Sequence, residues 1–152
     1  MSIKHICNQE VFTAGRSITA RAAAQLMREH HVRSLVVVED ADERRSPVGM
    51  ITDRDIVVAV VALGLDAQAI HVEDVMSGEL LAVDEDAGIS ETLELMRLRG
   101  VRRLPVTREG GELVGIVTSD DLFALLSEEM ASLSKIVLRG RKREIETRRH
   151  LR

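Results

Sequence analysis

Two short stretches carry residue types that could do chemistry. Residues 49–57 read GMITDRDIV, and residues 115–123 read GIVTSDDLF. Each is glycine, two apolar residues, threonine, two polar residues, aspartate and an apolar residue. A threonine followed three residues later by an acid is a capping box: hydroxyl and carboxylate satisfy backbone N–H groups at a helix start. Thr52 with Asp55, and Thr118 with Asp121, fit it, and each cap contributes about 1 kcal/mol. The same arrangement supports a second chemistry. The helix that begins there aims its positive dipole and free amides outward, toward an anion. A carboxylate at that point can accept hydrogen bonds from two vicinal hydroxyls, the pair that a ribose offers. The threonine hydroxyl can serve the same sugar, and aliphatic strand residues suit a flat purine. The two roles are compatible, so capping does not exclude binding.

Other chemistry has no motif. HExxH, CxxC and the nucleophile elbow are absent from the sequence. His30 and His31 are adjacent near a predicted helix end, so they point apart and suit the negative end of the dipole rather than a shared metal. His5, His71 and His150 are isolated, and Cys7 is the only cysteine. Asp84, Glu85 and Asp86 precede a predicted helix, where acids are favoured. No catalytic and no metal-binding residues are assigned, and the chain is expected not to be an enzyme.

The elements that would position the two motifs are themselves duplicated. Residues 18–38, ITARAAAQLMREHHVRSLVVV, lie over residues 88–107, GISETLELMRLRGVRRLPVT. Met27 matches Met96, Val32 matches Val101 and Leu35 matches Leu104, at an offset of 69. Gly49 and Gly115 are offset by 66, so the first copy has the longer loop, EDADERRSP, which reads as an exposed turn. Each copy predicts a short strand (Val11 to Thr13; Leu80 to Val83) and then an amphipathic helix. The apolar face of that helix is Ala22, Ala23, Leu26 and Met27 in one copy, and Ile89, Leu93, Leu95 and Met96 in the other. Ser17 and Asp86 are its expected N-caps, and Gly100 is an expected stop. Two aliphatic strands follow (Leu35 to Val38 and Val48 to Ile51; Leu104 to Val106 and Leu113 to Val117), the second pair joined at Gly110–Gly111. A second helix starts after each threonine. The order is β-α-β-β-α, twice: an α+β fold. Repeat one covers residues 5–65, repeat two residues 74–128, and a helical extension with a basic tail residues 129–152.

These repeats resemble the CBS domain family, named after cystathionine β-synthase. LMREHHVRSLVVVEDADERRSPVGMITDRDI and LELMRLRGVRRLPVTREGGELVGIVTSDDL both follow the family pattern. The resemblance implies a stand-alone tandem pair, packed sheet to sheet with pseudo-twofold symmetry. It also implies a sensor that binds an adenosine-containing ligand in the clefts between repeats: AMP, ADP, ATP, NAD or S-adenosylmethionine. Carried across residue by residue, Thr52 and Asp55 would hold a ribose in one cleft. Leu81, Ala82 and Pro105 would line the base there, and Arg102 and Arg103 would meet the phosphates. In the other cleft Thr118 and Asp121 would hold the ribose, with Phe12, Thr13 and Val36 near the base and Arg33 and Arg54 near the phosphates. The clefts are not equivalent. Asp120 stands where repeat one has Arg54, and Ser34 where repeat two has Arg103. A misplaced carboxylate repels phosphate, so the two sites should differ in affinity or in preferred phosphate number.

After the second motif, Leu122, Leu125, Leu126, Met130, Leu133, Ile136 and Val137 recur at spacings of 3 and 4. One long helix is predicted, from about Asp120 to Leu138, with an apolar stripe that extends past the repeat. A second copy of the chain is the economical cover for it. Residues 139–152 hold seven Lys or Arg against two Glu, although the whole chain has a net charge of −4. Three roles are open to this tail: a solvated segment, a contact with an acidic surface of its own dimer, or a contact with nucleic acid. The last is weakened by the composition, which has no Trp or Tyr for stacking. The longest apolar run, residues 56–65, is half the length that spans a bilayer. No secretion signal is read, and a cytoplasmic protein is expected. The alternative to a sensor is a constitutive interaction scaffold whose TxxD motifs serve only as helix caps.

Overall fold

The computed structural model describes residues 1–39 and 43–149. Asp40, Ala41 and Asp42 of the charged loop, and His150, Leu151 and Arg152 of the tail, lie outside the described residues. The fold is mixed α+β. Two three-stranded sheets are ordered β1-β2-β3 and β4-β5-β6. The first holds β1 (Thr13–Gly15), β2 (Ser34–Val38) and β3 (Pro47–Thr52). The second holds β4 (Val83–Asp84), β5 (Arg103–Thr107) and β6 (Leu113–Thr118). In each sheet the outer pair is parallel and the hairpin antiparallel. Helices α1 (Ala20–His30) and α4 (Ile89–Arg99) connect first strand to second. Helix α2 (Asp53–Ile56) follows β3 and runs into a π-helical turn at Val57–Val61. A short α3 (Val72–Val75) opens repeat two, and α5 (Ser119–Arg149) follows β6. The chain forms two compact units, one over Met1–Thr118 and one that begins at Ser119.

Each repeat is completed by a segment that belongs to the other. Val72 of α3 is wholly buried in the core of repeat one, with Leu35, Ile51 and Val60. Its N–H donates to the Ile18 carbonyl at 2.9 Å. The counterpart at an offset of 69 is Ile3, also wholly buried, whose N–H donates to Ala87 at 2.9 Å. Farther along, Ser77 and Met50 exchange bonds, from Ser77 N to Met50 O at 2.9 Å and from Met50 N to Ser77 Oγ at 3.0 Å. Asn8 and Ile116 exchange two backbone bonds, each of 2.9 Å. These crossings explain the glycine that opens each motif. A Cβ on Gly49 would lie 2.9 Å from the Ser77 carbonyl oxygen, and one on Gly115 would lie 2.7 Å from Cys7 Sγ and 3.0 Å from Asn8 O.

Several local expectations move. The N-cap of α1 is Thr19, not Ser17, and its Oγ1 accepts from Ala22 N at 3.1 Å. A bridge between Thr19 and His71 keeps the chain extended up to that residue. The N-cap of α4 is Gly88, not Asp86, for the matching reason: Gly88 is bridged to Ser2. Asp86 instead accepts from Lys4 Nζ at 2.6 Å, and that bond raises the lysine pKa. Strands β1 and β4 begin nearer the C-terminus than the apolar runs predict, at Thr13 rather than Val11 and at Val83 rather than Leu80. In α4 the buried position is Thr92, not Leu93, which is exposed. The Thr92 hydroxyl donates to the Gly88 carbonyl at 2.9 Å, so its burial leaves no polar atom unpaired. Helix α5 runs past Leu138 to Arg149, so the described part of the basic tail is helical. Gly100 closes α4 in the left-handed conformation, φ 64°, and the matching cap of α1 is His31, φ 54°. Gly110 and Gly111 form the β5–β6 turn with φ 90° and 84°.

Candidate functional site

Thr52 ends β3 and caps α2. Its Oγ1 accepts from Asp55 N at 3.1 Å, and Asp55 Oδ2 accepts from Thr52 N at 2.8 Å. Both side chains are half-buried. The capping box is therefore complete with one carboxylate oxygen. Among the described residues, Asp55 Oδ1 takes no hydrogen bond, so an acceptor remains for a ligand donor. Thr118 ends β6, and Asp120 and Asp121 lie in the first turn of α5.

The expected base-lining residues fall on the crossing segments. Ser77 is held to Met50, two residues before Thr52, and the chain then runs through Leu81 and Ala82 into β4. Both residues are half-buried. In the same way the segment from Asn8, held to Ile116, runs through Phe12 into Thr13 of β1. Phe12 stacks on His30 with ring centroids 4.0 Å apart. Thr13 pairs with Val36, and Val36 N donates to Phe12 O at 3.2 Å. Val36 is wholly buried. Pro105, its counterpart, is buried but has no N–H to donate. The bond that would match Val36 to Phe12 cannot form on the Leu81 carbonyl. This accounts for a β4 of two residues where β1 has three.

The expected phosphate residues are more exposed. Arg33 Nε donates to Asp53 Oδ2 at 3.2 Å, and at this exposure such a pair contributes little and exchanges partners readily. Arg54 and Arg102 are exposed, and Arg103 is half-buried. The strand register sets Arg103 opposite Thr118 and Ser34 opposite Thr52. Arg103 is thus a sheet neighbour of the second motif's threonine, a relation that motif spacing did not expose. Sequence reading also missed Ser77, whose hydroxyl anchors the crossing, and the Phe12–His30 stack. Both are contacts across long sequence separations with no local signature.

The molecule thus combines duplicated strand-helix-strand-strand units, a reciprocal exchange between them and a Thr-x-x-Asp motif at the close of each β-hairpin, the first of which is a capping box. CBS domains match residues 3–62 and 72–128. The chain belongs to the CBS domain family. It is 40% identical over 125 residues to hypoxic response protein 1 of Mycobacterium tuberculosis, covering 82% of this chain and 85% of that one. The crystal structure of that protein, with two coordinated zinc ions, superposes with a TM-score of 0.72 at 39% identity, over 82% of this chain and 98% of the other. Among the described residues here, no three His, Cys, Asp or Glu side chains come together as a metal site. The CBS domain pair of protein MJ0100, in complex with 5′-methylthioadenosine and S-adenosyl-L-methionine, has a TM-score of 0.72 at 28% identity, over 83% of this chain and 99% of that one. A hexameric CBS-CP12 protein of bloom-forming cyanobacteria has a TM-score of 0.71 at 30% identity, over 81% and 69%. No helix among the described residues is long and apolar enough to cross a membrane.

Proposed function

We propose that this chain is a regulatory module that binds an adenine nucleotide or a related adenosyl ligand at the motif of each CBS repeat. Ligand occupancy would then be reported to a protein partner. The observation that carries the reading is Asp55, whose Oδ2 completes the helix cap while Oδ1 stays available to a ribose hydroxyl. The Leu81 carbonyl, which Pro105 cannot engage, is a second acceptor suited to the exocyclic amine of adenine. Thr52, Leu81 and Ala82 complete the sugar and base contacts, and Arg102 and Arg103 supply positive charge. The second proposed site draws Thr118, Phe12, Thr13, Val36, Arg33 and Arg54 from the unit Met1–Thr118. The MJ0100 complexes support an adenosine-containing ligand for the fold. A homodimer through the exposed face of α5 is part of the same proposal.

The test is calorimetry and thermal shift of the full chain with AMP, ATP, 5′-methylthioadenosine and S-adenosyl-L-methionine. Saturation at 100 times Kd should stabilise the fold by about 2.7 kcal/mol. Asp55→Asn should weaken the first site at least tenfold, with a loss of about 1 kcal/mol of intrinsic stability from the cap. The complete capping box also favours a scaffold in which the aspartate only caps. That reading predicts no ligand-induced shift with any of the four compounds, and such a result would replace the sensor proposal.

A further inference from the structure

The geometry points to antiparallel self-pairing of α5, with a twofold axis passing between Ala131 and Ser132. Along α5, Phe123, Leu126, Met130, Leu133, Val137 and Gly140 recur at alternating spacings of 3 and 4, which is the seam of a two-helix coiled coil. The five apolar side chains of this seam are exposed, Phe123 at 75%. Two of the six positions are odd in isolation. Phe123 is the bulkiest exposed apolar residue of the helix. Gly140 lies inside a helix of 31 residues, where glycine costs about 1 kcal/mol relative to alanine. A Cβ there would meet nothing within 4 Å, so no neighbour in its own chain demands the glycine.

An antiparallel pair explains both. With the twofold between Ala131 and Ser132, Phe123 faces Gly140 of the second copy, Leu126 faces Val137, and Met130 faces Leu133. Every layer is apolar, and the largest side chain meets the smallest. Charge agrees. Residues 119–134 contain Asp120, Asp121, Glu128 and Glu129 and no Lys or Arg, whereas residues 135–149 contain seven Lys or Arg against two Glu. Antiparallel packing lays the acidic half of one helix along the basic half of the other, with Asp120 beside Arg141 of the second copy, and it opposes the two helix dipoles. Parallel packing would set Phe123 on Phe123, leave a gap at the paired glycines and bring the basic halves together. The occupant of this face is therefore a second copy of the chain. The inference rests on self-association through α5 and adds its direction and register.

Sedimentation equilibrium of the full chain tests it, with circular dichroism as the folding control. The wild type should be a dimer at micromolar concentrations. Gly140→Leu raises helix propensity, so a loss of association cannot be ascribed to unfolding. It should weaken the dimer at least tenfold, because leucine meets Phe123 of the second copy. Adding Phe123→Ala should restore the dimer to within about threefold of wild type. A stronger dimer with Gly140→Leu alone would establish parallel packing and overturn the orientation while leaving self-association intact. A dimer indifferent to Gly140→Leu overturns the seam. A wild-type monomer at 100 times that concentration overturns self-association itself.

Discussion

The two repeats share one architecture and differ in how each is finished. In repeat one, Val36 N holds the Phe12 carbonyl and β1 pairs over three residues. In repeat two, Pro105 has no N–H, β4 pairs over two residues, and the equivalent carbonyl at Leu81 is released. Repeat one places Asp53, Arg54 and Asp55 after its threonine, and repeat two places Ser119, Asp120 and Asp121. Repeat one ends in a four-residue helix and a π-helical turn, repeat two in the 31-residue α5. The contacts that close the fold are common to both copies, and the copies differ at the first strand, in the residues after the motif threonine and in the helix that follows it. A shared strand order therefore does not impose the same chemistry on both repeats.

The largest effect should come from the glycines where the segments cross. Gly49→Ala places a Cβ against the Ser77 carbonyl, a backbone atom that cannot turn away. Urea unfolding should show a loss of about 2 kcal/mol, in the range for overpacking. The first atom met by Gly115→Ala is Cys7 Sγ, the end of a side chain that can rotate, so its loss should be smaller. Equal losses would mean that the two crossings are interchangeable and that the repeats do not differ there.

A smaller effect is expected from Pro105→Val, which restores the missing donor. Strand β4 should gain a pairing to the Leu81 carbonyl, visible as slowed amide exchange at residue 105. Ligand affinity at the Thr52 and Asp55 site should fall by about tenfold, the worth of one hydrogen bond. Unchanged affinity would remove the carbonyl from the proposed site. The smallest effect concerns the helix stops. Gly100 takes a positive φ without strain, but His31 carries a side chain into the same region. His31→Gly should stabilise repeat one by about 0.5–1 kcal/mol in thermal unfolding, and Gly100→Ala should destabilise repeat two. A gain from both substitutions would show that neither stop needs a left-handed residue.

Much of this was legible in the chain. An offset of 69 located both repeats, and apolar periodicity marked the central strands β2, β3, β5 and β6 almost residue for residue. The TxxD motifs read as caps, and the Thr52–Asp55 box has that geometry. The failures have two causes. Ser17 and Asp86 are good local N-caps, yet Thr19 and Gly88 take the role because each is bridged to a residue far away in sequence. Leu93 fits a helical apolar face, yet Thr92 is the buried residue, because its hydroxyl bonds one turn back and removes the penalty of burying it.

The amino-acid sequence by itself determined the duplicated element order, the family and the threonine and aspartate at the close of each hairpin. These follow from patterns within a few residues, or from one pattern repeated. Only the tertiary structure decided which segment completes which repeat, why the motif must open with glycine, and which oxygen of Asp55 the helix cap uses. Those depend on where distant backbone groups meet, and hydrogen-bond partners far apart along the chain leave no periodic trace in it.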